Sequence, residues 1–152
     1  MGACGSKQIT KHINDDIEPV KCNKTIVYNI MIVDDVPDMA YMIEEYLGLL
    51  GYNINSIYAN GGQDAYAKYN ENASSLGVIF MDIKMVPIDG IEATKTLREN
   101  GCTIPIVGLT GMVDDETIDE CKKNGMNKIC SKPLDFKILI KTLNELNITL
   151  NK

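Results

Sequence analysis

The sequence has no C-x-x-C pair, no run of about 18 consecutive apolar residues, no Trp and only one His, and most of these gaps exclude a class of protein. Five Cys, at positions 4, 22, 102, 121 and 130, form an odd set without a neighbouring His. That argues against a disulfide framework and against a zinc site, and a reduced, intracellular chain is expected. The amino-terminal segment lacks the 7 to 15 residue apolar core of a secretory signal. Neither secretion by that route nor a membrane-spanning helix is expected. Basic residues are also in short supply: 15 Lys and Arg stand against 21 Asp and Glu, for a net charge of −6. Phosphate backbones are bound by clustered cations, so no nucleic-acid partner is expected.

What the chain does have is ordinary apolar content, 45% of 152 residues with 24% charged, enough for one globular domain with a tail. Residues 1–25 are polar and unpatterned and read as a flexible tail, and residues 26–150 read as the folded body. Apolar, β-branched runs at 28–33, 76–81 and 104–109 read as buried strands, with weaker ones at 54–59 and 128–131. Met39, Met42, Ile43, Tyr46, Leu47 and Leu50 recur at helical spacing, with Pro37 and Asp38 in the first turn and Gly51 at the cap. Further helices are expected around 63–70, 90–99 and 115–123. A last one carries the stripe Phe136, Leu139, Ile140, Leu143 and Leu146. Five strand–helix alternations predict an α/β fold, a parallel sheet with helices on both faces.

Position is the informative fact about the polar residues. Asp34, Asp35, Asp82, Thr110 and Lys132 all fall just past expected carboxyl ends of strands, where open α/β sheets bind ligands. Two carboxylates about 4 Å apart repel by about 4 kcal/mol at an effective dielectric near 20. Lys132 supplies one compensating charge; a hard divalent cation meets three carboxylates better, and Mg²⁺ favours such oxygens together with water and phosphoryl groups. A strand-end carboxylate beside bound Mg²⁺ can act as a nucleophile toward phosphorus. Thr110 and Lys132 could then hold the phosphoryl oxygens, and Gly111 leaves room for a donor. His12 lies in the tail, so the donor is expected to be another molecule.

The arrangement resembles the receiver domain of two-component response regulators over about residues 26–148. The matching residues are Ile32-Val33-Asp34-Asp35, Phe80-Met81-Asp82-Ile83-Lys84-Met85 with Asp89-Gly90, Ile104 to Thr110, and Ser131-Lys132-Pro133. The resemblance implies a flavodoxin-like, doubly wound five-stranded sheet of order 2-1-3-4-5. It implies Asp82 as phosphoacceptor, with Asp35, Asp82 and the Lys84 carbonyl as direct Mg²⁺ ligands and Asp34 acting through water. It further implies that Lys132 pairs with the phosphoryl group, that Thr110 acts as a switch, and that the bond to Pro133 is cis. The implied partners are a histidine kinase or histidine phosphotransfer protein as donor and a downstream protein target. The expected product is a stand-alone receiver, not a conventional enzyme, that catalyses its own phosphorylation and autodephosphorylation.

Two positions depart from the family pattern. Val86 stands where Pro usually follows the Met, with Pro87 one residue later, and Ile129 replaces the usual Tyr or Phe of the switch. Ile129 keeps open a docking module that needs no phosphorylation, although all five site residues are present. A haloacid-dehalogenase-type phosphatase would want D-x-D after the first strand, and Val36 occupies the second acid's place. A flavodoxin relative would want a Ser/Thr-rich phosphate loop after Val33. Finally, Met1-Gly2-Ala3-Cys4-Gly5-Ser6 fits the N-myristoylation pattern at Gly2, with Cys4 as a palmitoylation candidate. One myristoyl chain binds membranes only marginally, so both would be needed to anchor an otherwise cytoplasmic chain on the cytoplasmic face.

Overall fold

The structure, a computed structural model, describes residues 25–27 and 29–150; the side chains of 25–27 are not described. The expectations for residues 1–24, Gly2, Cys4 and His12 among them, lie outside the described residues, while Thr25, read as the last residue of the tail, opens a strand. In chain order the elements are β1 Thr25–Val27, β2 Asn29–Val33, α1 Asp38–Leu49, β3 Asn55–Ala59, α2 Gly62–Asn72 and β4 Leu76–Asp82. They continue with α3 Gly90–Glu99, β5 Ile106–Thr110, α4 Asp115–Lys123, β6 Lys128–Ser131, α5 Phe136–Glu145 and β7 Ile148–Leu150.

The larger sheet is all parallel with order β3-β2-β4-β5-β6, which is 2-1-3-4-5 counted over its five strands. Its central strands are apolar at nearly every position because both faces are covered. In β2, Ile30 and Ile32 join Val78, Phe80, Val107 and Leu109 in a core closed by α1 and α5. Met31 and Val33 point the other way and pack with Ile79, Met81 and Ile106 beneath α2, α3 and α4. The period-two alternation of side chains in a strand thus feeds two cores from one run of sequence.

Three helices begin on an Asp whose carboxylate accepts backbone N–H groups of the first turn. Asp89 accepts from Glu92, Asp114 from Thr117, and Asp135 from Lys137 and Ile138. Such caps satisfy donors that have no partner within the helix. Gly51, past the end of α1, has φ of 77°, which glycine adopts without strain.

The elements differ from the sequence reading at several points, β3 beginning at Asn55 and α2 running from Gly62 to Asn72. Asp82 and Thr110 are the last residues of β4 and β5 and do not lie beyond them, and β5 excludes Ile104 and Pro105. More substantially, the fold contains a second, two-stranded parallel sheet of β1 and β7 that the sequence reading did not anticipate. The chain leaves α5 through Asn147 at φ of 56°, and Ile148 and Leu150 of β7 are buried in the α1 and α5 core.

Candidate functional site

A parallel sheet with this strand order brings the carboxyl ends of β2 and β4 side by side. The two acidic segments therefore meet at the point where strand order reverses. Asp34, Asp35 and Asp82 each offer a carboxylate oxygen within 4.8 Å of the other two. Asp34 and Asp82 are buried and Asp35 is exposed. At that separation a pair of carboxylates repels by about 3 to 4 kcal/mol at an effective dielectric near 20.

Lys132 is the cation that answers them. It directly follows β6, two strands from β4, and its long stem brings Nζ to 2.9 Å from Asp82 Oδ1 and 3.3 Å from Asp34 Oδ2. Its own backbone N–H is fixed on the Thr110 carbonyl at 2.7 Å. Burial pushes the Asp82 carboxyl up, the Lys132 hydrogen bond and charge pull it down, and Asp34 and Asp35 push it up again, for a net rise above the ordinary carboxylate range. Burial lowers the Lys132 ammonium, but Asp82 and Asp34 outweigh that and hold it above its usual value. One ammonium thus stands against three clustered carboxylates, which leaves negative charge at the site uncompensated.

The remaining site positions lie on β5, on β6 and in the loops that follow β4 and β6. Thr110 is buried, and its hydroxyl donates to the Met112 carbonyl at 2.8 Å and accepts from the Met112 N–H at 3.1 Å. Lys84 and Asp35 line an open cleft of about 390 Å³, with Met85, Val86, Asp89, Thr117 and Glu120 among its other walls. The Lys84 ammonium lies 3.9 Å from Met112 Sδ. Ile129 is half-buried and packs into the core beneath α4, beside Gly108 and Met126. The Lys132–Pro133 peptide is cis, and so is Val86–Pro87 in the departing β4–α3 loop.

Four further residues shape the site, none of them given a catalytic, metal or switch role from the sequence. The Tyr58 hydroxyl, from the edge strand β3, donates to the Asp34 carbonyl at 2.7 Å. The Asp34 N–H donates to the Ala59 carbonyl, and the Val36 N–H donates to Asp34 Oδ1. Gly90 opens α3 directly against β4, its N–H on the Ile83 carbonyl at 2.8 Å; a Cβ there would overlap the Asp82 carbonyl. A Tyr in a strand reads as packing, and only the register of β2 with β3 places its hydroxyl beside Asp34.

Oxygen donors of this number and hardness fit Mg²⁺ better than a soft metal, and the unmet negative charge at Asp82 is what a cation would neutralise. The Asp34, Asp35 and Asp82 carboxylates are the donors in place for it.

Comparison with known proteins agrees with this geometry. The chain is 40% identical over 116 residues to the osmosensing histidine protein kinase SLN1 of Saccharomyces cerevisiae, covering 74% of this chain and 9% of that protein. It is 34% identical over 114 residues to the sensor histidine kinase RcsC of Salmonella typhimurium, covering 75% and 12%. The chain thus spans about a tenth of the length of these curated relatives. Among solved structures it superposes on the chemotaxis protein CheY4 of Vibrio cholerae with a TM-score of 0.70 and 27% identity, over 78% of this chain and 98% of that one. The Francisella response regulator 1452 receiver domain gives 0.69 and 28%, over 79% and 96%. The model of the response regulator receiver domain matches residues 30–144. With the strand order, the strand-end acids and that match in agreement, the chain belongs to the response regulator receiver domain family.

Proposed function

We propose that this receiver accepts a phosphoryl group on Asp82 from a phosphohistidine on a kinase or phosphotransfer protein, and that the reaction depends on Mg²⁺. The observation that carries the reading is the convergence of Asp34, Asp35 and Asp82 within 4.8 Å, with Lys132 on two of them. Asp35, Asp82 and the Lys84 carbonyl would hold the ion directly and Asp34 through water; when bound, it supplies positive charge to the carboxylates and to the phosphoryl oxygens.

The chain's own residues perform the rest. An Asp82 carboxylate oxygen attacks phosphorus, a P–O bond forms, and the P–N bond of the donor breaks with its electron pair returning to the imidazole nitrogen. Lys132, already 2.9 Å from Asp82 Oδ1, stabilises the charge on the transferred group. To donate to a phosphoryl oxygen the Thr110 hydroxyl must give up its bond to the Met112 carbonyl, and that exchange is the local step of the switch. Ile129, an aliphatic side chain in the packed core, presents no ring to follow Thr110 inward. The readout therefore lies at Met112 and its loop and does not use an aromatic rotamer. Hydrolysis of the acyl phosphate at the same site resets the protein.

Residues 26–150 form the receiver in this reading, and its output is exerted on a partner protein. The M-G-x-x-x-[ST] motif supports acylation of Gly2, with Cys4 as the second lipid site where Met1 is the initiator. Mass spectrometry of the native N-terminus tests it, and an unmodified Gly2 would remove the anchor.

The central reading is tested by incubating the parent protein and Asp82→Asn with Mg²⁺ and acetyl phosphate and comparing intact masses. A base-labile gain of one phosphoryl group on the parent alone is expected. No gain on either would favour a phosphorylation-independent docking module, and rapid turnover of assorted phosphomonoesters would favour a phosphatase.

A further inference from the structure

We propose that Tyr58 is a positioning residue for the metal-binding acids, setting the affinity of the site for Mg²⁺ through the peptide that joins Asp34 to Asp35. The inference rests on the Mg²⁺-dependent reading above. Tyr58 pairs with Ile32 in the β2–β3 register, and its ring packs at the margin of the α1 and α5 core. From there its hydroxyl reaches past the end of β2 to the Asp34 carbonyl at 2.7 Å.

The effect of that bond follows from what else holds Asp34. Its N–H is tied to the Ala59 carbonyl at 3.1 Å, Oδ1 accepts from the Val36 N–H at 2.9 Å, and Oδ2 faces Lys132 at 3.3 Å. The carbonyl bonded to Tyr58 belongs to the peptide plane whose other half is the Asp35 amide. Its direction therefore sets where Asp35, the exposed member of the cluster, projects. Without the phenol, that peptide is free to turn toward water, and Asp35 must be ordered anew each time an ion binds. Tyr58 touches neither the phosphoryl group nor Asp82 in this account, which separates it from the reacting groups.

Tyr58→Phe removes one oxygen and keeps the ring. Magnesium is titrated into the parent and the variant, following the backbone amide signals of residues 35 and 82 by NMR. Phosphorylation by acetyl phosphate is measured across the same concentrations. The half-saturating Mg²⁺ concentration is expected to rise by about threefold to tenfold, the range one hydrogen bond supplies. At saturating Mg²⁺ the rate is expected to approach that of the parent, a split that loss of fold would not produce. Uptake by the parent with an unchanged half-saturation in Tyr58→Phe overturns the inference alone. A lowered metal-free unfolding midpoint with unchanged half-saturation overturns it too, since Tyr58 would then be structural only. No uptake by the parent overturns the metal reading and this inference with it.

Discussion

Asp82 is where the chain stores unfavourable charge. Burial and two neighbouring carboxylates oppose its ionisation more than Lys132 favours it, and its acidity is displaced upward on folding. The folded state then binds more protons at Asp82 than the unfolded state between the ordinary and the raised pKa. In the metal-free protein, stability therefore falls as pH rises through that window and is greater on its acid side. Lys132 acts in another range: its raised pKa contributes stability that is complete at neutral pH and lost only as pH rises through the raised, alkaline value. Asp82→Asn removes the repelling charge and leaves Lys132 paired with Asp34. We expect it to stabilise the metal-free protein by about 1 to 2 kcal/mol, several degrees in unfolding midpoint, and to flatten the acid-side pH dependence. Calorimetric scans of both proteins in chelator between pH 4 and 7 check this; a destabilised Asp82→Asn would mean that the Lys132 pair outweighs the repulsion.

Elements carry these residues to one place, and the fit between α3 and β4 is the tightest constraint among them. The N–H of Gly90 sits on the Ile83 carbonyl and its Cα lies against the Asp82 backbone, leaving no space for a Cβ. Gly90→Ala must push the start of α3 off the strand that presents Asp82. We expect it to lower stability by about 1 to 3 kcal/mol and to slow phosphorylation as well. An unfolding curve and an acetyl phosphate time course together check it, and a variant as stable and as fast as the parent would contradict the packing described here.

How legible these elements were in the sequence depended on where their information lay. β2, β4 and β5 announced themselves as apolar β-branched runs because both faces are buried, and Asp34, Asp82 and Thr110 were located by where those runs stop, Lys132 by the end of the weaker strand β6. The strand β7 did not, since Ile148-Thr149-Leu150 is too short to show a period and its partner lies at the other end of the folded body. Tyr58 was equally hidden, because its role arises from a neighbour 24 residues away in sequence.

For the whole molecule, parallel strands give the domain two unlike poles. The carboxyl ends of β2, β4 and β5 hold the acidic pocket and its cleft. At the other pole β1 enters at the amino end of β2 and pairs with β7, tying the beginning of the folded body to its end. Removal of residues 1–28 would strip β7 of the strand that pairs with it. We expect a loss of about 1 to 3 kcal/mol, from the ladder hydrogen bonds that β7 no longer makes. Phosphorylation by acetyl phosphate at a temperature where the truncated protein is folded should continue, since the site lies at the opposite pole. Loss of both together would contradict that separation.

The most direct test of the whole account compares unfolding midpoints of the parent and of Asp35→Asn with and without Mg²⁺. If the three carboxylates form the cation site, ion at a hundred times its dissociation constant stabilises the parent by about 2.7 kcal/mol, while Asp35→Asn shows little or none of that gain. A parent whose midpoint does not move with Mg²⁺, or a variant that gains as much as the parent, would contradict it.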